Sequence, residues 1–190
     1  MKYYQDITLL PDTEIPLHFL LSKVFSQIHL EFAEVKNREG NIPYALSFPE
    51  YGENTLGTKL RIFSNEKAEL EELDLRIKLS KFEDYIHITR VRDVPTNVKE
   101  YEIFSRYQVD GSVHQKAKRY VKRHDGVTYE EAVKFLQQKV SKTKLPYIQM
   151  ISLSNRNHFK LFVKRTTVNS PLQGECGSYG LSLQCAIPKF

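Results

Sequence analysis

An unperturbed imidazole titrates near pH ~6.5, so a histidine that meets a ligand can take up a proton at neutral pH. His29 follows Ile28 and lies four residues past Phe25, at the edge of an apolar stripe. Two readings stand side by side: a packed boundary residue, or a base facing a cleft at a helix C-terminus, where the dipole favours the imidazolium. Ser152 and Ser154 flank Leu153 at the start of a polar connection. Alternate residues of an extended chain face the same way, so both hydroxyls can meet one ligand. The plain alternative is a pair of turn serines. Lys116, Lys118, Arg119, Lys122 and Arg123 place five cations among eight residues. On a helix, 116, 119 and 123 line one face, with 118 and 122 adjacent. Such a stripe can follow phosphates along a groove and release counterions on binding, or it can be a solvated face.

Several other chemistries lack their motifs. There is no G-x-S-x-G elbow, P-loop, dinucleotide fingerprint, HExxH or EF-hand. The carboxylates between Glu66 and Asp74 read as a solvated face rather than a metal site. Cys176 and Cys185, nine apart, lack the CxxC spacing of a zinc site and are too few for a disulfide framework, so they read as buried free thiols. No metal and no cofactor is expected. No apolar run approaches the roughly 18 residues of a membrane span, and the N-terminus carries no signal-peptide pattern, which predicts a cytoplasmic protein with no membrane partner. The net charge of +5 is unevenly spread. Residues 1–98 hold 12 Lys/Arg against 16 Asp/Glu, and residues 99–190 hold 16 against 7, so the second half points to a polyanion, with nucleic acid the first candidate.

The elements that must position these residues follow from periodicity. Tyr3 to Leu10 predicts a strand. A helix starts around Pro16, with Leu17, Leu20, Leu21, Val24, Phe25, Ile28 and Phe32 at i, i+3, i+4 spacing, and a turn-rich break at Asn37 to Asn41 follows. Strands at Tyr44–Phe48 and Lys59–Phe63, a helix over Glu66–Leu75 capped by Asn65, and a strand at Tyr85–Val91 complete the order. This βαββαβ order predicts an α+β protein with a ferredoxin-like domain over residues 1–98. Asp93 to Asn97 reads as a linker. Residues 99–190 then form a C-terminal α+β domain with a basic helix. In it, Glu102–Tyr107 is extended, and a capping box at Ser112 opens the basic helix, which reaches about His124. A second box at Thr128 opens a helix to about Lys142, with Ala132, Phe135, Leu136 and Val140 inward. Tyr147–Ile151 and His158–Val163 form a hairpin, and a last strand covers Tyr179–Ile187.

In chain order, His29, Ser105-Arg106-Tyr107-Gln108, the basic run ending Lys122-Arg123-His124-Asp125, Ser152-Leu153-Ser154 leading to His158-Phe159-Lys160-Leu161-Phe162, and Ser178-Tyr179-Gly180-Leu181-Ser182 resemble the type I-F CRISPR repeat-processing endoribonuclease family. The opening Tyr4-Gln5-Asp6-Ile7 through Leu10-Pro11-Asp12 fits too, so the resemblance covers essentially the whole chain. It implies an endonuclease that cuts CRISPR repeat hairpin RNA at the base of the stem, keeps the product, and works with other type I-F surveillance-complex proteins. By residue match, His29 is the general base, Ser152 holds the ribose 2′-OH, and Tyr179 orients His29. Arg106 and Gln108 read base edges, Phe159 stacks on the lower closing pair, and Ser154 and Asn155 line the site. Arg119 with Lys122 and Arg123 grips the stem, and Lys116 belongs to the same stripe. Two departures stand out. Three of the five cations are Lys where the family's helix is rich in Arg, which loses the planar fork. Asn155 stands where a hydroxyl residue is expected.

Two other classes fit the charge pattern alone: a hairpin-RNA-binding subunit that does not cut, and a ferredoxin-like regulatory domain with a solvated basic helix. The first pair of variants to separate phosphate grip from base reading is Lys122→Ala and Arg106→Ala. Lys122→Ala weakens binding across sequences and flattens the salt dependence, whereas Arg106→Ala relaxes discrimination at one base pair. Affinities for matched and altered hairpins across a salt series check this, and equal effects of both on every sequence refute it.

Overall fold

Tyr3–Leu9 forms β1, which buries Tyr4, Gln5, Asp6, Ile7 and Leu9. Leu17–Glu39 forms α1, entered through Pro16. The apolar stripe buries Leu20, Leu21, Val24, Phe25, Ile28, Phe32 and Val35 on one side. The expected break at Asn37 to Asn41 begins later, because Gly40 adopts the left-handed conformation (φ 81°) that closes the helix, its N–H donating to the Lys36 carbonyl. β2 (Ala45–Ser47) and β3 (Lys59–Ser64) follow. The helix expected over Glu66–Leu75 is two pieces, α2 (Lys67–Leu73) and α3 (Leu75–Lys78), divided by Asp74 at φ 40°. Glu66, not Asn65, is the cap, and its N–H donates to the Glu69 carboxylate at 3.4 Å. β4 (Ile86–Ile88) is shorter than expected, and the anticipated linker opens with a strand residue, since β5 (Arg92–Asp93) pairs with Tyr4 and Tyr3 of β1. The first sheet has the order β2-β3-β1-β4, every pair antiparallel.

β6 (Glu100–Tyr107), β7 (Tyr147–Ile151), β8 (His158–Val168) and β9 (Ile187–Lys189) make a second sheet in the order β7-β8-β6-β9. β7 and β8 pair as the expected hairpin, with Tyr147 opposite Phe162 and Ile151 opposite His158. The last strand is not at Tyr179–Ile187. Residues 179–186 form a loop in which the Ser182 hydroxyl accepts the N–H groups of Gln184 and Cys185, each at 3.0 Å, and only Ile187 onward is extended. Mixed helices and antiparallel sheets make the chain α+β. The computed structural model describes residues 1–109, 113–139, 143–152, 156–172 and 174–190.

Two compact units arise. One joins Met1–Arg106 to Leu145–Phe190, and its core joins both sheets. The α1 stripe clusters with Ile7, Leu9, Leu60 and Ile62 of the first sheet and with Ile148, Met150, Leu161 and Val163 of the second. Full burial of each such side chain is worth about 1.5–3 kcal/mol. The other unit, Tyr107–Lys144, holds α4 (Val113–Val121) and α5 (Tyr129–Lys139). Compactness thus groups the chain differently from a division at residue 98. The capping box at Thr128 is present. Glu131 accepts from the Thr128 N–H at 2.9 Å, and the Glu131 N–H donates to the Thr128 hydroxyl at 3.3 Å. Ser112 and residues 140–142, where a second box and the end of α5 were expected, lie outside the described residues. Ala132 is buried, but Phe135 is 40% exposed rather than inward, its ring lying 5.7 Å from that of Tyr120.

One buried ion pair crosses the first sheet. Asp6 stands opposite Arg61, whose Nε and Nη2 donate to the two carboxylate oxygens at 2.6 and 3.0 Å. Arg61 Nη1 also donates to the Phe190 carbonyl at 3.0 Å, with the guanidinium over the rings of Tyr4 and Phe190. Removing one partner leaves a buried charge uncompensated, so Asp6→Ala costs about 3–5 kcal/mol. Urea unfolding measures this, and a loss below about 1 kcal/mol refutes the pair's role.

Candidate active site

Ser22, Ser26 and His29 recur on α1 at helical spacing and share a face. The Ser22 hydroxyl donates to the Gln149 carbonyl of β7, and the Ser26 hydroxyl contacts Met150 Sδ at 3.6 Å. This seam runs the same way along helix and strand, and His29 lies one turn further along α1. His29 is therefore mid-helix. It is not at the helix C-terminus as the sequence suggested, and the helix dipole, which acts only within the last turn, has little hold on it.

The His29 ring is fixed from two sides. Nδ1 lies 2.7 Å from the Ser178 carbonyl oxygen. A carbonyl can only accept, so Nδ1 carries the proton and the neutral ring has its lone pair on Nε2. The Tyr179 ring stacks on the imidazole, with centroids 4.1 Å apart and planes 17° from parallel. Tyr179 in turn lies near parallel to Phe25 of the core at 6.3 Å. The Arg106 guanidinium, at the end of β6, stands 5.8 Å from the Tyr179 ring and 5.7 Å from the Phe159 ring. Four of the expected residues, His29, Tyr179, Arg106 and Phe159, thus form one linked set, with His29 and Phe159 half-buried and Arg106 exposed.

Ser152 ends β7. Its N–H donates to the Asn157 carbonyl at 2.9 Å, and its own carbonyl accepts the Arg156 N–H at 2.9 Å, with Arg156 at φ 54°. Ser154 and Asn155 lie outside the described residues. Among the described residues, no three His, Cys, Asp or Glu side chains come together as a metal site.

The loop bearing Ser178 and Tyr179 is tied to three elements. The Gly180 carbonyl accepts the Leu46 N–H of β2 at 2.8 Å, the Ser182 N–H donates to the Phe104 carbonyl of β6 at 2.9 Å, and Ser178 receives His29. Gly180 sits at φ 67°, where a Cβ would stand 2.8 Å from both Leu46 Cβ and Phe32 Cε2. Sequence reasoning missed the Ser178 carbonyl, since a backbone acceptor leaves no side-chain signature. It also missed the Ser22–Ser26 seam, for which the i, i+4, i+7 spacing was available as a signal.

The basic helix belongs to the other compact unit. α4 ends at Val121 and not near His124: Arg123 N–H donates to the Tyr120 carbonyl at 3.0 Å, so Lys122 and Arg123 lie in a turn. Lys118, Arg119, Lys122 and Arg123 are exposed, while Lys116 is half-buried. Ala117 and Ala132 are buried, and His114 Nδ1 is 2.8 Å from the Tyr129 hydroxyl. Gln108, just past β6, is exposed.

An α+β chain with this site falls within a described class: the Cas_Csy4 family model, for CRISPR-associated proteins, matches residues 4–190, and the chain belongs to that family. It is 32% identical over 193 residues to the CRISPR-associated endonuclease Cas6/Csy4 of Escherichia coli (strain UTI89 / UPEC). It is 31% identical over 198 residues to the protein of the same name from Pseudomonas aeruginosa (strain UCBPP-PA14), and both alignments span the full length of each chain.

Gly180→Ala tests the seating of the loop. Left-handed strain alone costs about 1–3 kcal/mol, and the contacts to Leu46 and Phe32 push the loop off its seat. The melting temperature falls and the His29 ring resonances move away from their stacked positions. Unchanged resonances refute the claim that Gly180 sets the ring's place.

Proposed function

We propose that the chain is a sequence- and structure-specific endoribonuclease that cleaves CRISPR repeat hairpins in precursor transcripts and retains the mature guide RNA. The observation that carries this reading is the tautomer of His29: with Nδ1–H held by Ser178, Nε2 is a free base. RNA brings its own nucleophile, so the reaction asks for a base, alignment and charge stabilisation, and needs no metal. Nε2 takes the proton of a ribose 2′-OH held by Ser152. The 2′-oxygen attacks the adjacent phosphorus, the 5′-oxygen of the next nucleotide leaves, and a 2′,3′-cyclic phosphate remains. Tyr179 holds the imidazole plane. Arg106 and Gln108 read base edges at the foot of the stem, Arg matching guanine and Gln matching adenine. Phe159 stacks on the closing pair, and Ser154 and Asn155 line the same place.

Residues 1–98 are read as a ferredoxin-like domain, supported by the strand order β2-β3-β1-β4. Residues 99–190 are read as the RNA-binding part, in which Lys116, Arg119, Lys122 and Arg123 grip the stem. The partners are the repeat hairpin and other proteins of a type I-F surveillance complex, and the setting is the cytoplasm. Among the described residues, no helix is long and apolar enough to cross a membrane.

In excess EDTA, the protein cleaves a type I-F repeat hairpin to a cyclic phosphate and leaves a hairpin with a 2′-deoxy group at the cut intact. His29→Ala lowers the rate by roughly 10²–10⁴, with binding retained. Cleavage of the deoxy substrate, or full activity of His29→Ala, rules the mechanism out. Tight binding with no cleavage marks a hairpin-holding subunit instead.

A further inference from the structure

Cys176 and Cys185 are the two cysteines of the chain, and both are free thiols. Their side chains touch, the Cys176 S–H donating to Cys185, and the Gly174 backbone N–H also donates to Cys185. These donors hold the Cys185 thiol below its usual range, and the same contact with burial holds Cys176 above it. The pair behaves as one titrating unit. Cys185 is buried and Cys176 is half-buried.

The two cysteines bracket the loop that holds His29. Ser178 and Tyr179 follow Cys176 by two and three residues. The Ser182 hydroxyl joins the two arms, donating to the Glu175 carbonyl at 2.8 Å and accepting from the Cys185 N–H at 3.0 Å. Where Gly174 passes Gln184, a Cβ would come within 2.7 Å of Gln184 Cβ, so the arms already lie against each other.

We propose that Cys176 and Cys185 are a disulfide-forming modification site that takes a small-molecule disulfide as oxidant and, once closed, shifts the loop that orients His29. The proton the pair shares passes to Cys185, and Cys176, now the thiolate, attacks one sulfur of the small disulfide, forming a mixed disulfide and releasing a thiolate. Cys185, as thiolate, then attacks the Cys176 sulfur and releases the second. The two protein thiols are oxidised, the small disulfide is reduced to two thiols, and the two protons lost by the cysteines end on them. A disulfide sets its sulfurs about 2.05 Å apart, closer than two hydrogen-bonded thiols, so the arms must draw together. The short path from Cys176 to the Ser178 carbonyl and the Tyr179 ring carries that movement to the imidazole. A misplacement of about 1 Å costs around 10²-fold in rate.

The effect on rate rests on the proposed cleavage reaction, whereas bond formation and loop movement do not. The test treats the full chain with oxidised glutathione at neutral pH. Its readouts are peptide mapping by mass, the His29 ring resonances, hairpin affinity and the cleavage rate. We expect a 176–185 linkage two hydrogens lighter than the reduced protein, shifted His29 resonances, affinity within about twofold, and cleavage slowed roughly 10²-fold. Dithiothreitol reverses all of these, and Cys176→Ser cleaves at the reduced rate with or without the oxidant. Glutathione adducts with no 176–185 linkage overturn the proposal, as does a linkage that leaves the His29 resonances unmoved. A linkage that shifts His29 in a protein inactive in both redox states upholds the site and sinks the cleavage reading instead.

Discussion

A carbonyl oxygen has lone pairs and no proton to give. The 2.7 Å contact between His29 Nδ1 and Ser178 therefore admits one neutral tautomer, with the lone pair on Nε2. The two residues are 149 apart in sequence, so this arrangement requires that helix and loop each have a fixed place. The helix has one because its stripe is the common wall of both sheets' cores. The loop has one because Gly180 lets the backbone pass against Leu46 and Phe32 where no side chain fits.

The loop contains no regular ladder, yet its backbone polar groups find partners. Gly177 N–H donates to the Leu181 carbonyl, Gly180 N–H to the Gly177 carbonyl, Leu46 N–H to Gly180, and Ser182 N–H to Phe104. Each is worth about 0.5–1.5 kcal/mol net, and together they offset the entropy of ordering an irregular segment. Tyr179 adds the apolar part, its ring near parallel to both Phe25 and His29. A ring so held keeps the imidazole plane without spending a side-chain hydrogen bond on it.

Legibility in the sequence followed the physics of each signal. The α1 stripe was readable because its period of 3.6 extends over several turns, and His29 stood at its edge. The cluster at Asn37 to Asn41 read as a break, but the true stop was the one glycine in it, Gly40, in the left-handed conformation. The expected strand over Tyr179–Ile187 failed because local side-chain-to-backbone bonds outweighed β-propensity: the Ser182 hydroxyl captures two N–H groups that a ladder would need, and Leu183 is left 78% exposed. The end of α4 at Val121 has a different cause, a backbone turn in which the Arg123 N–H donates to the Tyr120 carbonyl. Of the proposed site, the residues with functional side chains were nameable in advance. The backbone acceptor at Ser178 and the thiol contact between Cys176 and Cys185 were not, because both arise only when distant segments meet.

Grip and chemistry make different demands on a sequence. The attraction between two charges falls only as the inverse of distance, so under the proposed function a phosphate met by Lys122 in place of an arginine loses the planar fork but keeps most of the attraction. Proton transfer has no such tolerance, since it needs heavy atoms within about 2.6–3.2 Å in the right direction. Under the proposed reaction, the exposed cations of α4 and the turn after it can vary in type while RNA is still held. The short stretch from Cys176 to Ser182 cannot, because a carbonyl, an aromatic plane and a left-handed glycine act there on one imidazole. Control of the reaction is therefore most economically applied at that stretch, and the chain places its two thiols around it.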